Sequence, residues 1–341
     1  MRASSLLRTR IALVVALGAG LLLAAACDNG GSKQVEKLFS PQNNELDVYD
    51  LSTGEMTVLI PSEQNNVNGQ VCALPDGSGN FLMGEDTNQS DGARQGWGIF
   101  SPDGELQNKL LEPVSEGEAE TIEPYGCAFD GEKRLFTTDV GDENFEASNG
   151  KLIVYFPDDY SESCILDLEL RVAGQVANDD AGNLYVPETV PPGRVVRYSG
   201  PFPSSAAECD TVKPEKSAFI EDEEMNTPFG IAIAANGNWY VSSVFLPTTI
   251  REYDANGQFV RTIIEGDDIG NPAGIAVGSD GTLYYADLAL EQQPGELPGP
   301  ARGKSTVRKV TFDADGNPSQ PEIMGSGFTF ADSLGILLVE E

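Results

Sequence analysis

The chain has 341 residues, with 54 acids against 21 lysines and arginines and a formal net charge of −33. Such a surface repels nucleic acid and anionic lipid, and it leaves cations or basic groups as the charge-matched ligands. Histidine is absent, which excludes a Ser-His-Asp triad, a histidine general base and every histidine metal site.

The chain opens on Arg2, Arg8 and Arg10, then runs uncharged from Ile11 to Ala26 and reaches Cys27. A basic start, an apolar stretch and small residues before a cut describe a secretory signal over residues 1–26. The stretch falls short of the ~20 apolar residues that a spanning helix needs. Leu23-Ala24-Ala25-Ala26-Cys27 resembles the bacterial lipobox. That resemblance implies triacylation at Cys27, palmitate included, which anchors a protein on a membrane where one chain binds only marginally. Cys27 and the residues up to 34 then read as an acylated, flexible tether. The expected location is the cell envelope, facing the periplasm or the exterior. Losing residues 1–26 takes away three arginines and no acid, so −33 becomes −36. In an oxidising compartment Cys72, Cys127, Cys164 and Cys209 allow two disulfides, with three pairings open.

Past the tether one unit recurs: a Gly, a small apolar run, a turn with Gly or Asp, then an aromatic-rich strand ending in an acid. Pro228-Phe229-Gly230-Ile231-Ala232-Ile233 leads to Asn236-Gly237-Asn238-Trp239-Tyr240-Val241. Pro272-Ala273-Gly274-Ile275-Ala276-Val277 leads to Asp280-Gly281-Thr282-Leu283-Tyr284-Tyr285-Ala286-Asp287. Weaker copies begin at Gly69, Pro124 and Gly174. The residues after the shared Gly position are Cys72, Cys127, Val176, Ile231, Ile275 and Ile336, spaced 44 to 61 residues apart. Periods of about 40–50 residues with four strand signals each mark a β-propeller, and the Asp-Gly and Asn-Gly turns split the strands as hairpins require.

Leu334 to Val339 looks like a first strand without followers, while Val35 to Phe39, Glu45 to Tyr49 and Met56 to Ile60 look like three strands without an inner one. Joined, they complete a sixth blade and remove exposed sheet edges. The expected fold is all-β: a six-bladed β-propeller over 35–341, closed by a C-terminal inner strand that joins three N-terminal strands. The run at 272–287 closely resembles the NHL repeat. Residues 35–341 as a whole resemble the six-bladed superfamily that holds NHL proteins and the senescence-marker/gluconolactonase group. Such motifs specify a blade rather than a function.

In a propeller, the loops entering the inner strands and those leaving the second strands open on one face, around the axis. Aligning the units puts Asn68, Glu123, Val172, Thr227, Asn271 and Asp332 at the mouth of the inner strands. It puts Glu85, Asp139, Glu188, Ser243 and Asp287 at the ends of the second strands. Clustered carboxylate and amide oxygens suit Ca²⁺, so Glu123, Asn271 and Asp332 are the candidate metal ligands. The competing role for the strand-closing acids is to accept backbone N–H groups of the following turn. Tyr125 and Phe229 share one blade position near the mouth, either as an apolar floor for a ligand or as a plug of the axis. The gluconolactonase resemblance implies Asn and Asp ligands just before the Gly-like position, where this chain has Gln70, Tyr125, Gly174, Phe229, Ala273 and Leu334. It therefore implies no metal site of that type. Cys72 and Cys127, on neighbouring inner strands, either pair or pack as small apolar residues. Cys164 and Cys209 fall near matching hairpins of adjacent blades and form the other candidate pair. Glu291 to Lys304, rich in Pro and Gly, interrupts the sixth unit as a lid, a partner contact or a tolerated insertion.

The reading that results is a membrane-tethered, extracytoplasmic binding or scaffold propeller. It is monomeric, takes a protein or glycan ligand on its mouth face, has Ca²⁺ as candidate cofactor, and carries no assigned catalytic residue. The alternative is a metal-dependent, lactonase-like hydrolase with a rearranged carboxylate site.

Overall fold

The computed structural model describes residues 34–340, apart from 43–44, 62–66, 86–95, 112, 114–122, 142–148, 246 and 292–297. The expected signal, Cys27 and the tether through residue 33 lie outside the described residues. All the described residues belong to the unit Gln34–Glu341.

Six antiparallel four-stranded sheets make up this unit. Blade 1 takes β1 (Gln34–Pro41), β2 (Leu46–Asp50) and β3 (Met56–Ile60) from the start of the unit. Blade 2 is β4 (Val67–Ala73), β5 (Phe81–Glu85), β6 (Gly96–Phe100) and β7 (Leu106–Leu111). Blade 3 is β8 (Pro124–Phe129), β9 (Leu135–Asp139), β10 (Gly150–Tyr155) and β11 (Ser163–Leu170). Blade 4 is β12 (Ala177–Asn178), β13 (Leu184–Glu188), β14 (Arg194–Ser199) and β15 (Glu215–Glu221). Blade 5 is β16 (Pro228–Ile233), β17 (Trp239–Ser243), β18 (Thr249–Tyr253) and β19 (Phe259–Glu265). Blade 6 begins with β20 (Pro272–Val277) and β21 (Leu283–Asp287), is interrupted by a hairpin of β22 (Leu290–Glu291) and β23 (Gly299–Pro300), and ends with β24 (Ser305–Val310) and β25 (Glu322–Phe328). The last strand, β26 (Gly335–Glu340), pairs with β1 from Gln34↔Glu340 to Phe39↔Gly335 and becomes the inner strand of blade 1. The expected closure is the observed one.

Alternation along each strand sends successive side chains to opposite faces of a blade, and both faces of the second strand meet a neighbouring blade. Hence β5, β9, β13, β17 and β21 are buried throughout, whereas β3 and β7 on the rim expose most of their residues. The core is a ring rather than a single centre. Phe39, Ile60 and Phe81 fill the gap between blades 1 and 2, and Trp97, Leu135 and Tyr155 that between blades 2 and 3. Phe136, Val186 and Phe202 join blades 3 and 4, and Tyr185, Trp239 and Tyr253 join blades 4 and 5. Tyr240, Ile264 and Tyr285 lie between blades 5 and 6, and Tyr49, Val307 and Phe328 between blades 6 and 1.

Both disulfides link neighbouring blades. Cys72–Cys127 ties the inner strands of blades 2 and 3, and Cys164–Cys209 ties blades 3 and 4. The two half-cystines of the first bond are not at equivalent positions. Cys72 faces Leu82, three residues before the end of β5, whereas Cys127 faces Thr137, two before the end of β9. A bulge between Asn68 and Cys72 absorbs the offset, and Val71 is the register mate of Cys127.

Candidate functional site

The strand-closing residues act as clasps between the second strand and its neighbours. Asp139 Oδ1 accepts the N–H of Glu123 (3.2 Å) and of Gly141 (2.8 Å), and Lys151 Nζ stands 3.1 Å from Oδ2. Asp287 Oδ1 accepts the N–H of Asn271 (2.8 Å) and of Ala289 (2.9 Å), while its Oδ2 accepts Thr306 Oγ1 (2.9 Å) and Arg308 (2.7 Å). Ser243 Oγ accepts the N–H of Thr227 at 3.2 Å. Glu188 pairs with Arg194, and Glu85 pairs with Lys109. A buried carboxylate needs such partners, and each comes from the same blade. The acids are thus spent on contacts within their own blades, and none of them lines the cavity at the mouth.

The mouth itself is built one residue further on. Period-two alternation turns the next side chain the other way, so Val140, Thr189, Val244 and Leu288 line a cavity of about 160 Å³. Tyr125 and Phe229 form its floor, with ring centroids 4.4 Å apart and planes tilted by 45°. Val172, Phe245 and Phe330 complete the walls, and the hairpin that interrupts blade 6 contributes Leu290, Pro298 and Pro300. The lining is largely apolar. Thr189 Oγ1 is committed to Pro228 O at 2.9 Å, and the Tyr125 hydroxyl to Asp332 O at 2.6 Å. The other polar groups of the lining are the Glu123 and Asp332 carboxyls. Asp332 is 4 % exposed, its Oδ1 meets no donor, and Gly69 N–H reaches Oδ2 at 3.4 Å. Burial raises its pKa to about 7 and pushes the Tyr125 hydroxyl well above its usual value.

Beneath the floor, two glutamines hold the axis. Gln175 Oε1 accepts the N–H of Ile231 (3.2 Å) and of Ile275 (3.0 Å), and its Nε2 donates to Ser333 Oγ (3.2 Å). One side chain of blade 4 therefore bonds blades 5 and 6 and the segment leading into β26. Gln175 precedes the two-residue β12, and its own N–H bonds Phe229 O of blade 5 at 2.9 Å. Gln70 Oε1 accepts the N–H of Cys127 at 3.1 Å in the same manner. The aligned sequence places Gln70 beside Gly174; the bulge in β4 makes Gln175 its true counterpart.

Of the candidate metal ligands, the structure puts Glu123 and Asp332 on the cavity and turns Asn271 away from it. The Asn271 amide donates to Val244 O (2.8 Å) and accepts the N–H of Leu290 (2.8 Å), so both ends are used. Asn68 stands at the start of β4 beside Gly84, outside the lining. Ca²⁺ takes six to eight oxygens at ~2.3–2.6 Å. Among the described residues no group of three or more acids or cysteines is placed to hold a metal, and Asp139 Oδ1, Asp287 Oδ1 and Asn271 Oδ1 already accept N–H groups. These residues do not fit a calcium centre. What the arrangement offers is an apolar well with one incompletely bonded carboxyl at its base.

Neither a protein-family model nor a curated protein matches the sequence. Solved structures do match the fold. A gluconolactonase from Xanthomonas campestris is 15 % identical, with a TM-score of 0.52 over 75 % of this chain and 84 % of that one. The calcium-binding protein regucalcin from Agrobacterium tumefaciens is 15 % identical, with a TM-score of 0.53 over 75 % and 81 %. A protein of unknown function from Bacteroides caccae is 13 % identical, with a TM-score of 0.55 over 89 % and 99 %. Likeness at this identity carries the architecture alone: the chain is a six-bladed β-propeller with the fold of gluconolactonase- and regucalcin-like proteins.

Proposed function

We propose that this chain is a lipid-tethered, extracytoplasmic binding module whose central mouth holds a ligand through an apolar group. The supporting observation is the composition of the mouth: a concave, mainly apolar cavity with one or two convergent polar groups is the usual form of a small-ligand site. The clasping role of Asp139, Glu188 and Asp287 supports the same reading, because it removes from the mouth the acids that a metal-dependent reaction would use. The test is calorimetric titration of the purified protein with an apolar compound of one ring. Binding with a negative heat-capacity change is expected, and Val244→Phe, which fills the cavity, should abolish it while leaving the thermal transition intact. Binding that persists in Val244→Phe would place the ligand elsewhere. The tether is tested by Cys27→Ser, which should move the protein from the membrane to the soluble fraction.

The second reading, a metal-dependent lactonase-like hydrolase, draws on the gluconolactonase among the fold neighbours. Turnover of a lactone panel that disappears on chelation would favour it over the binding module.

A further inference from the structure

The base of the mouth cavity holds a buried carboxyl that lacks a donor. Asp332 Oδ1 has no hydrogen-bond partner, whereas buried side-chain oxygens in native proteins are nearly always bonded. Four aromatic side chains, Tyr125, Phe229, Phe245 and Phe330, line the same cavity. Aromatic faces attract an organic cation placed within about 6 Å of the ring centre, and a carboxylate pairs with a cation more strongly away from water. The described residues lining the cavity include no lysine or arginine to compete for that role. The other titratable groups there are Tyr125, whose hydroxyl is held by Asp332 O, and Glu123, a second acid. The volume of about 160 Å³ suits one ring, since an apolar cavity of ~150 Å³ holds benzene. The net charge of −33 adds a field that draws cations toward the protein.

We infer that the ligand group taken up by the mouth is an organic ammonium ion on a body of about one ring, with its N–H donated to Asp332 Oδ1 and its charge facing the aromatic walls. This deepens the binding-module reading and rests on it. The probes are benzylamine and its neutral counterpart benzyl alcohol, titrated into the purified protein at about pH 8 and about pH 6, either side of the Asp332 value near 7. Benzylamine should bind at least about ten-fold tighter than the alcohol at the higher pH. Its advantage should shrink roughly ten-fold at the lower pH, as the carboxyl takes up a proton. Asp332→Asn should bring the two affinities together. Equal affinities at the higher pH, or a preference that survives Asp332→Asn, would overturn the ammonium assignment and leave the cavity reading standing. Failure of both compounds to bind would overturn both. Should Asp332→Asn not fold, the pH dependence of the unaltered protein decides the matter alone.

Discussion

Asp47 faces Ser40 across β1 and β2, on the side of blade 1 that Tyr49 turns toward blade 6, and neither of its buried carboxylate oxygens meets a donor. Burial first, and the charge of Glu45 second, raise its pKa to about 7. For a carboxyl whose folded value is raised, the contribution to stability is complete below the unfolded value near ~4 and is lost as pH climbs through the folded one. Asp47→Asn should therefore stabilise the domain by on the order of 2 kcal/mol at about pH 8, with the gain vanishing toward about pH 4. Thermal melts of the two proteins across that range check this, and an equal gain at every pH would assign the effect to packing. Turn acids act in the opposite sense. Asp254 accepts the Gln258 and Asn256 N–H groups and Asp313 the Asn317 side chain and N–H, which hold both below the usual carboxyl range. Their contributions are lost as pH falls, so the difference between variants is the informative quantity. At the axis, Gln175→Ala would strip the acceptor from two buried N–H groups. Each orphaned group costs about 1–3 kcal/mol, so denaturant unfolding should reveal a loss of about 2–6 kcal/mol for the two. A loss near zero would mean that water takes over the two bonds.

The repeated glycine has a packing cause at the level of the strand. A Cβ on Gly230 would lie 2.3 Å from Ala273 O, in the next inner strand, and one on Gly274 2.5 Å from the Ser333 Cα, in the backbone leading into the next. Inner strands converge toward the axis, and only a residue without a side chain lets their backbones approach so closely. Gly274→Ala should cost about 1–3 kcal/mol through overpacking, measurable as a lower melting temperature with the fold retained. That glycine is why the blades are legible in the sequence. The candidate site is less so, for a reason of register. Repeat alignment alone suggests that the conspicuous acids at the strand ends face the mouth, yet alternation by two gives that place to the next residue, as Val140, Val244 and Leu288 demonstrate. The bulge in β4 hides the kinship of Gln70 and Gln175 in the same way, since one extra residue shifts every later match. Both cysteine pairings, open in the sequence, join consecutive blades. Reduction should lower stability by about 2–5 kcal/mol per bond.

On the scale of the whole molecule, a ring of blades has no edge only while its first and last strands remain paired. β26 is the inner strand of blade 1, and its Leu337 belongs to the core shared with blade 2. Deleting residues 335–341 should therefore abolish the cooperative thermal transition; a truncated protein that melted as before would refute the role given to closure. This closure is legible in the sequence because a lone inner strand at one end and three strands at the other fit only one way. The mouth is not, because its parts come from distant points of the chain: Gly69 and Asp332, bonded at its base, are 263 residues apart. Melting the purified protein with each ligand distinguishes an apolar well at the mouth from a calcium centre. A ligand bound only by the native state stabilises it by about 2.7 kcal/mol at ~100 Kd. Benzyl alcohol or benzylamine should raise the melting temperature while Ca²⁺ and chelator leave it unchanged. A rise with Ca²⁺ that chelation reverses, and none with the one-ring compounds, would contradict the apolar well.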